Sequence, residues 1–480
     1  MINWLQTRVC QELGQEYGSR LWMDAQENIR LYAYYDGTGQ EWATPAGLDY
    51  RPNKTIVNYT KRLIDKVSGF MFSRAPEITL KPVGDDQANA KRVAELEQHI
   101  RETLQQNGWQ RRLLQAGRDC FVGKRVALKV GIYQDRLVIR FRPSVEFFHD
   151  VSVDDVEKLE RIIFAYGLND KKEPEAQRIW VQSWRMEDGR CLLTEGVYNG
   201  YGITVEENFR DADTQLDAPP AYVILNEGMT SDVLGDSDVA RLKPMQDDYN
   251  RMVSDDQDAL RFNMFPQTVF TDATETCLES VKISPGAMID LQTDPSQQGK
   301  QAQVSKLETH FSYDGRFQNS IDLLLDNMYT LMSCPRVTAE YLKAVGVSGK
   351  AMRAMYWDLQ CRCEERWAEW DPALVWLVRE IVRQEKVHGL GDWTDCRYTV
   401  QIEHLYPLTE DEDEERKLDL QEVAQQVRSR KGYLDKWQPD TDAAEELKQM
   451  ALEREQLEEA SYGQGGMGVL RAAREPVEKL

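Results

Sequence analysis

The chain has 480 residues, with 81 acidic against 59 basic side chains and a formal net charge of −22. That length asks for about two to four cores, and the acidity excludes a general surface that wraps nucleic acid, because neutralising phosphates takes lysine and arginine. No apolar run approaches the roughly 18–20 residues of a membrane span; Ala373 to Val378 is among the longest.

The N-terminus, MINWLQTRVCQELGQEYG, is polar and mixed in charge, unlike a signal peptide. In chain order, apolar residues at three- and four-residue spacing predict helices over Leu21–Tyr35 and Thr55–Phe72, the second carrying Ile56, Tyr59, Leu63, Val67 and Phe70. A charged helix over Ala88–Gln106 ends at Asn107-Gly108. The period then shifts to two. Val126, Leu128, Val130 and Ile132 alternate, Gln134-Asp135 turns, and Leu137, Ile139 and Phe141 alternate back as a hairpin. Strands follow over Arg161–Tyr166, Arg178–Trp184, Cys191–Tyr198 and Ile203–Glu206, closing an α+β block near Pro219-Pro220 and Gly228.

A long helix spans Ser237–Phe262, with Val239, Leu242, Met245, Tyr249, Met252, Val253 and Leu260 on one stripe. Pro266 ends it. Short β-like runs (Thr268–Thr271, Ala287–Leu291) and polar turns fill Gln267–His310. A second helix, Asp314–Met332, carries Phe317, Ile321, Leu324, Leu325, Met328 and Leu331 and stops at Pro335. Another follows with Met352, Met355, Leu359, Cys363, Trp367 and Trp370 in helical period. Asp371-Pro372 marks a kink or a fresh start, and Gly389 closes the piece. Arg397–Glu403 reads as a strand. Leu418–Glu459 is helical, with Leu420, Val423, Val427, Leu434, Trp437, Leu447 and Leu452 expected inside, and the glycine-rich tail from Gly463 is expected to be disordered.

The candidate chemistry is sparse. Eight cysteines without a CxxC pair, and five histidines, argue for a reducing compartment and against a disulfide framework or structural zinc. Cys361 and Cys363 face different directions on a helix. Gly349-Lys350, in AVGVSGKAMRAMYWDL (Ala344–Leu359), sits where a nucleotide loop puts its lysine. The place of that loop's first glycine holds Ala344 and its hydroxyl place holds Ala351. The carboxylates Asp236/Asp238 and Asp255/Asp256/Asp258 could suggest metal for a nuclease. Asp255 and Asp258 share a helical face, Asp256 does not, and Arg251 and Arg261 offer ion pairs, so a solvated or channel-lining face is the better reading. The run Glu410–Glu415 precedes a helix, where carboxylates suit the positive end. Trp357, Trp367, Trp370 and Trp376 follow helical spacing and read as core. His149, without a nucleophile motif around it, reads as a packed or hydrogen-bonded residue.

Four stretches carry a resemblance across nearly the whole chain: Asn53–Pro76, Gly235–Phe262, the loop and helix start around VSGKAMRAMYWDL, and Arg430–Glu453. Together, in this order, they resemble the portal protein, or head-to-tail connector, of long-tailed bacteriophages. The resemblance implies a mostly helical α+β fold. Its parts would be an N-terminal wing of helices and strands (1–234), a first stem helix (235–263) and a clip (264–310). A second stem helix (311–333), a tunnel loop (334–350), a kinked wing helix with a strand (351–405), a helical crown (406–462) and the tail (463–480) would complete it.

It implies further a ring of about twelve copies that passes double-stranded DNA, docks the terminase large subunit and later the head-tail adaptor, and meets scaffold and major capsid protein. At −22 per copy, twelve copies sum to −264, a field that keeps phosphates from sticking to a channel wall. Two long helices around a small β module bury too little alone, which independently favours neighbouring copies. The tunnel loop would present Val345, Gly346, Val347, Ser348, Gly349 and Lys350 to DNA, and Asp247, Asp248, Asp255, Asp256 and Asp258 are the acidic stem and channel candidates. No catalytic residue, metal, cofactor or membrane is expected. The alternatives are a metal-dependent hydrolase and an acidic ring-forming scaffold protein without DNA passage.

Overall fold

The structure, a computed structural model, describes residues 3–43, 50–155, 157–264, 267–271, 303–307, 314–337, 349–408, 412–425, 427–437 and 445–453. The chain is α+β and mostly helical, and it divides into two compact units, Met1–Val337 with Tyr356–Pro407, and Thr338–Met355 with Leu408–Leu480.

In the first unit, helices α1 (Asn3–Leu13) and α2 (Gln15–Asp36) lay Leu5, Val9, Leu21 and Trp22 against one face of a five-stranded antiparallel sheet. That sheet is the meander β4 (Phe147–Val151), β5 (Leu159–Gly167), β6 (Ile179–Glu187), β7 (Arg190–Tyr198) and β8 (Thr204–Asp213), paired in sequence order. Its other face holds Phe147, Ile162, Phe164 and Trp184. There it meets a second sheet, in which β2 (Arg125–Tyr133) lies between β3 (Arg136–Pro143) and β9 (Ala221–Leu225). The predicted β2–β3 hairpin forms with Tyr133 opposite Arg136, and Gln134 and Asp135 take φ of 50° and 56°, the left-handed pair that a tight hairpin requires.

Helix α3 (Tyr59–Phe72) begins four residues later than the spacing predicts. Asn58 caps it, its side-chain oxygen accepting from the Lys61 N–H at 3.0 Å, so Ile56 falls outside the helix and is 43 % exposed. Strand β1 (Glu77–Pro82) and helix α4 (Gln87–Gln106) follow, and then α5 (Trp109–Gly123), which the sequence pattern did not single out. On α5 Gly117 is required by close approach: a Cβ there would lie 2.2 Å from the Phe72 ring. Phe72 in turn packs on Trp367 and Trp370 at 5.2 and 4.8 Å between ring centres.

Beyond β9 come α6 (Asp238–Met264), the antiparallel pair β10 (Gln267–Thr271) and β11 (Gln303–Leu307), and α7 (Asp314–Leu331), which packs against α6. Helix α8 runs unbroken from Gly349 to Val387, through Pro372. It therefore does not restart at Asp371-Pro372. Residues on both sides of the proline, from Trp367 and Trp370 to Leu374 and Leu377, are buried, and the Asp371 carboxylate is bound by His404. Trp367 and Trp370 are core as expected and Trp376 is half-buried against Tyr222, but Trp357 is 62 % exposed, on the face opposite Leu359. Cys361 is exposed and Cys363 buried. Strand β12 (Tyr398–Glu403) returns to pair with β1.

In the second unit, α9 (Glu412–Ala424) and α10 (Arg430–Trp437) meet around Asp419, whose carboxylate takes Arg428 at 2.6 Å, Lys436 at 3.0 Å and the Trp437 indole N–H at 2.7 Å. Residues 445–453 are helical. Of the apolar residues expected inside, Leu434 is buried and Val423, Trp437 and Leu447 are half-buried. Leu420, Val427 and Leu452 are instead 49 %, 75 % and 59 % exposed. The reason is that a polar hub, not an apolar seam, joins these short helices, and it leaves their aliphatic residues uncovered within one chain.

Candidate channel-facing elements

Helix α6 is held by a polar ladder. Gln246, Asn250, Ser254 and Asp258 recur every fourth residue and are all buried. Beside them the chain before α3 runs without helical structure over residues 51–58. The ladder accepts its backbone N–H groups in turn: Thr60 to Gln246 at 3.0 Å, Val57 to Asn250 at 3.1 Å, Thr55 to Ser254 at 3.0 Å, and Asn53 to both Asp258 oxygens at 3.0 and 3.2 Å. From Asn53 to Val57 the register works because four helical residues rise about 6 Å and two extended residues about 6.6 Å; Thr60, in the first turn of α3, is three residues further on. A segment with no sheet partner thus has every second N–H, at Asn53, Thr55 and Val57, paired. Gln246 also donates to the Val57 carbonyl and Asn250 to Gln40. The signal was present in the sequence, but a polar stripe at helical spacing looks the same whether it faces water or a neighbouring backbone.

The five acidic candidates on α6 separate into different environments. Asp258 belongs to the ladder. Asp247 accepts the Tyr34 hydroxyl at 2.7 Å and pairs with Lys243 at 2.6 Å. Asp248 pairs with Arg251 at 2.7 Å on the exposed side, Asp255 is exposed, and Asp256 is half-buried. Neither of the last two has a hydrogen bond or ion pair among the described residues. Arg261 is exposed. Toward its C-terminal end α6 shows apolar groups to solvent, Leu260, Phe262 and Met264 at 49 %, 44 % and 75 %, with Phe262 edge-on to Tyr50; midway along α7, Leu323 is 61 % exposed. Val345, Gly346, Val347 and Ser348, with the rest of 338–348, lie outside the described residues, as does Ala287–Leu291. Gly349 and Lys350 are the first two residues of α8.

Arginines that sequence reasoning passed over tie these helices together. From α8, Arg366 binds Asp238 at 2.7 Å and Glu227 at 2.8 Å, and Arg362 binds Glu227 at 2.6 Å. Arg362 also donates to the carbonyl of Leu331 at 2.6 Å, one of the carbonyls a helix end leaves unpaired. Arg241 of α6 completes the cluster on Glu227 at 2.6 Å. The first residue of α6 and the last of α7 are thereby fixed to the middle of α8. Burial disfavours the Glu227 charge, but Arg366 and Arg362 outweigh it and bring the carboxyl down to about 2. Asp238, a metal candidate from sequence, serves this cluster, and among the described residues no group of His, Cys, Asp and Glu is placed to hold a metal ion.

Two histidines sit in opposite electrostatic settings. His149 is buried beside Arg125, with burial and that charge bringing it down to about 3. His404 stacks on Trp367 at 4.5 Å and bridges Glu364 and Asp371 at 3.0 Å each. Burial opposes its charge, and the two carboxylates more than offset that, so its pKa is raised.

A comparison with known families covers nearly the whole chain. The model of the family described as phage portal protein, SPP1 Gp6-like, matches residues 16–460. The chain belongs to that family. It is a bacteriophage portal protein, a component of the phage head that serves genome packaging. No curated protein matches the chain. Among the described residues of this portal protein, no helix is long and apolar enough to cross a membrane.

Proposed function

We propose that this portal protein closes as a ring of about twelve copies at one vertex of the capsid, and that double-stranded DNA enters through its axis during packaging and leaves through it during ejection. The observation that carries the reading is that both helices leave large apolar side chains exposed, Leu260, Phe262 and Met264 at the end of α6 and Leu323 midway along α7, which neighbouring copies of the same helix pair would bury. In this reading 1–234 is the wing, α6 and α7 the stem, 264–310 the clip, 406–462 the crown and 463–480 a dispensable tail. Asp248, Asp255 and Asp256 are the acidic residues left to face the channel, where carboxylates repel phosphate and keep the duplex sliding. The role is structural, with neither catalytic residue nor cofactor. Terminase would dock during packaging and the adaptor afterwards, with scaffold and major capsid protein as neighbours, after assembly in the host cytoplasm.

Residues 338–350 would form the tunnel loop, with Val345–Lys350 toward DNA. A lysine at a helix start is disfavoured by the helix dipole, which supports an outside anionic partner for Lys350. Shortening the loop tests this. Rings should still form while packaging stalls. Loss of rings would make the loop a structural joint, and normal packaging would remove it from translocation.

A further inference from the structure

The two sheets of the first unit part between β2–β3 and β5–β8 and leave a cavity of about 880 Å³, the size of a small-molecule site. Its lining comes from these strands, the residues after β8 and the end of α8, and includes no residue of α6 or α7. One wall is cationic. Lys129 stands opposite Arg140 in the β2–β3 register, and Arg142 lies two residues further along the same face. The other wall is aromatic, with Tyr166 and Trp180. The Lys129 ammonium lies 4.6 Å from the Phe164 ring centre and 5.1 Å from that of Trp180, and its polar partner is the neutral side-chain carbonyl of Gln182.

Arg142 has Glu146 at 2.9 Å. Arg140 has no hydrogen bond or ion pair among the described residues. The carboxylate facing Lys129, Glu195, is engaged by Gln182 and Asn208. In a chain of net charge −22, this pocket keeps an excess of cations. Burial first, and then Arg142, bring Lys129 down to about 7, outweighing the opposing pull of Glu195.

Gly131 adds an independent observation. It sits inside β2 on the same wall, where glycine weakens a strand, yet a Cβ built there meets nothing within 4 Å. The missing side chain leaves open space that lines the cavity.

We propose that this cavity binds a carboxylate carried on an aromatic or aliphatic body. The acid group would sit between Lys129 and Arg140, and the body would lie against Trp180 and Tyr166. The carboxylate can come from a free small acid or from an acidic side chain of a partner's peptide segment. The other ionisable groups facing the site are Arg142 of β3, Glu195 of β7, Asp213 at the end of β8, Tyr133 of β2 and His388 just after α8. An anion beside Lys129 raises its pKa, so binding takes up a proton above about pH 7 and weakens as the pH rises.

The test is calorimetric titration of the full-length protein with indole-3-acetate, indole-3-acetamide, inorganic phosphate and the peptide acetyl-Glu-Trp-Glu-amide. The acid should bind at least about tenfold more tightly than the amide or phosphate. Lys129→Met should lower that affinity by a similar factor and remove proton uptake, which in the wild type shows as a buffer-dependent heat. Gly131→Trp should abolish binding while Gly131→Ala keeps it. A peptide that binds as tightly as the free acid identifies a protein partner, and binding of the free acid alone identifies a small acid; both support the proposal. It is overturned if neither binds, if the amide or phosphate equals the acid, or if Gly131→Trp binds like wild type.

Discussion

Asp258→Ala should loosen the chain before α3 while leaving most of the molecule unchanged. Asp258 accepts the Asn53 N–H with both oxygens, at 3.0 and 3.2 Å, from a buried position. A hydrogen bond to a charged acceptor contributes about 1.5–3 kcal/mol. Since residues 51–58 are held at intervals by the ladder, its loss should appear as local opening. The expected result is exchange at the Asn53 amide faster by roughly ten- to 150-fold, with a smaller rise at Thr55 and none in β5–β7. Asn250→Ala should act the same way at Val57, by about 1 kcal/mol for each neutral bond lost. Asp255→Ala, which removes an exposed carboxylate, should change nothing there. Hydrogen exchange read by mass spectrometry on peptides covering 50–60 resolves the three variants. An unchanged Asn53 amide in Asp258→Ala would refute the ladder, and exchange raised equally throughout the first unit would show that its bonds are not local.

The anchors are open to the same kind of test. Asp238→Ala leaves Arg366, 2 % exposed at its side chain, with half its charge partners, and should cost about 3–5 kcal/mol; thermal unfolding at fixed protein concentration reads it, and a melting point equal to wild type would rule the cluster out as an anchor. His404 has a raised pKa, so its charge-dependent stabilisation is fully present below its ordinary value of about 6.5 and is lost as pH rises through the folded value. The gap in melting temperature between wild type and His404→Ala should therefore be wider at about pH 6 than at about pH 9, and a pH-independent gap would contradict the assignment. Truncation after Tyr462 should leave assembly intact, as size-exclusion chromatography would show; a preparation of monomers would place the functional boundary later.

Much of the fold was legible because each element carries one period. The β2–β3 hairpin announces itself by alternation and a polar two-residue turn, and α4, α6 and α7 by their repeat and their terminating residues. What was not legible depends on partners distant in sequence. The start of α3 is decided by the Asn58 cap, which competes with an apolar Ile56 still in phase. Strand β1 exists because β12, some three hundred residues later, pairs with it. For the candidate site, the long acidic helix was visible but the fate of each carboxylate was not. Asp247, Asp248, Asp255, Asp256 and Asp258 look alike in sequence, and only the positions of Tyr34, Arg251 and Asn53 separate them. Arg362 and Arg366 carried no signal at all, since their partners Glu227 and Asp238 lie more than a hundred residues away.

Whether copies of this chain form a channel is tested most directly by electron microscopy of the purified full-length protein. The expected particles are closed rings with an axial hole and a mass near twelve times the 55.5 kDa chain, about 670 kDa. Single globular particles of one chain's mass, at concentrations where the exposed apolar residues of α6 and α7 should meet a neighbour, would contradict the ring.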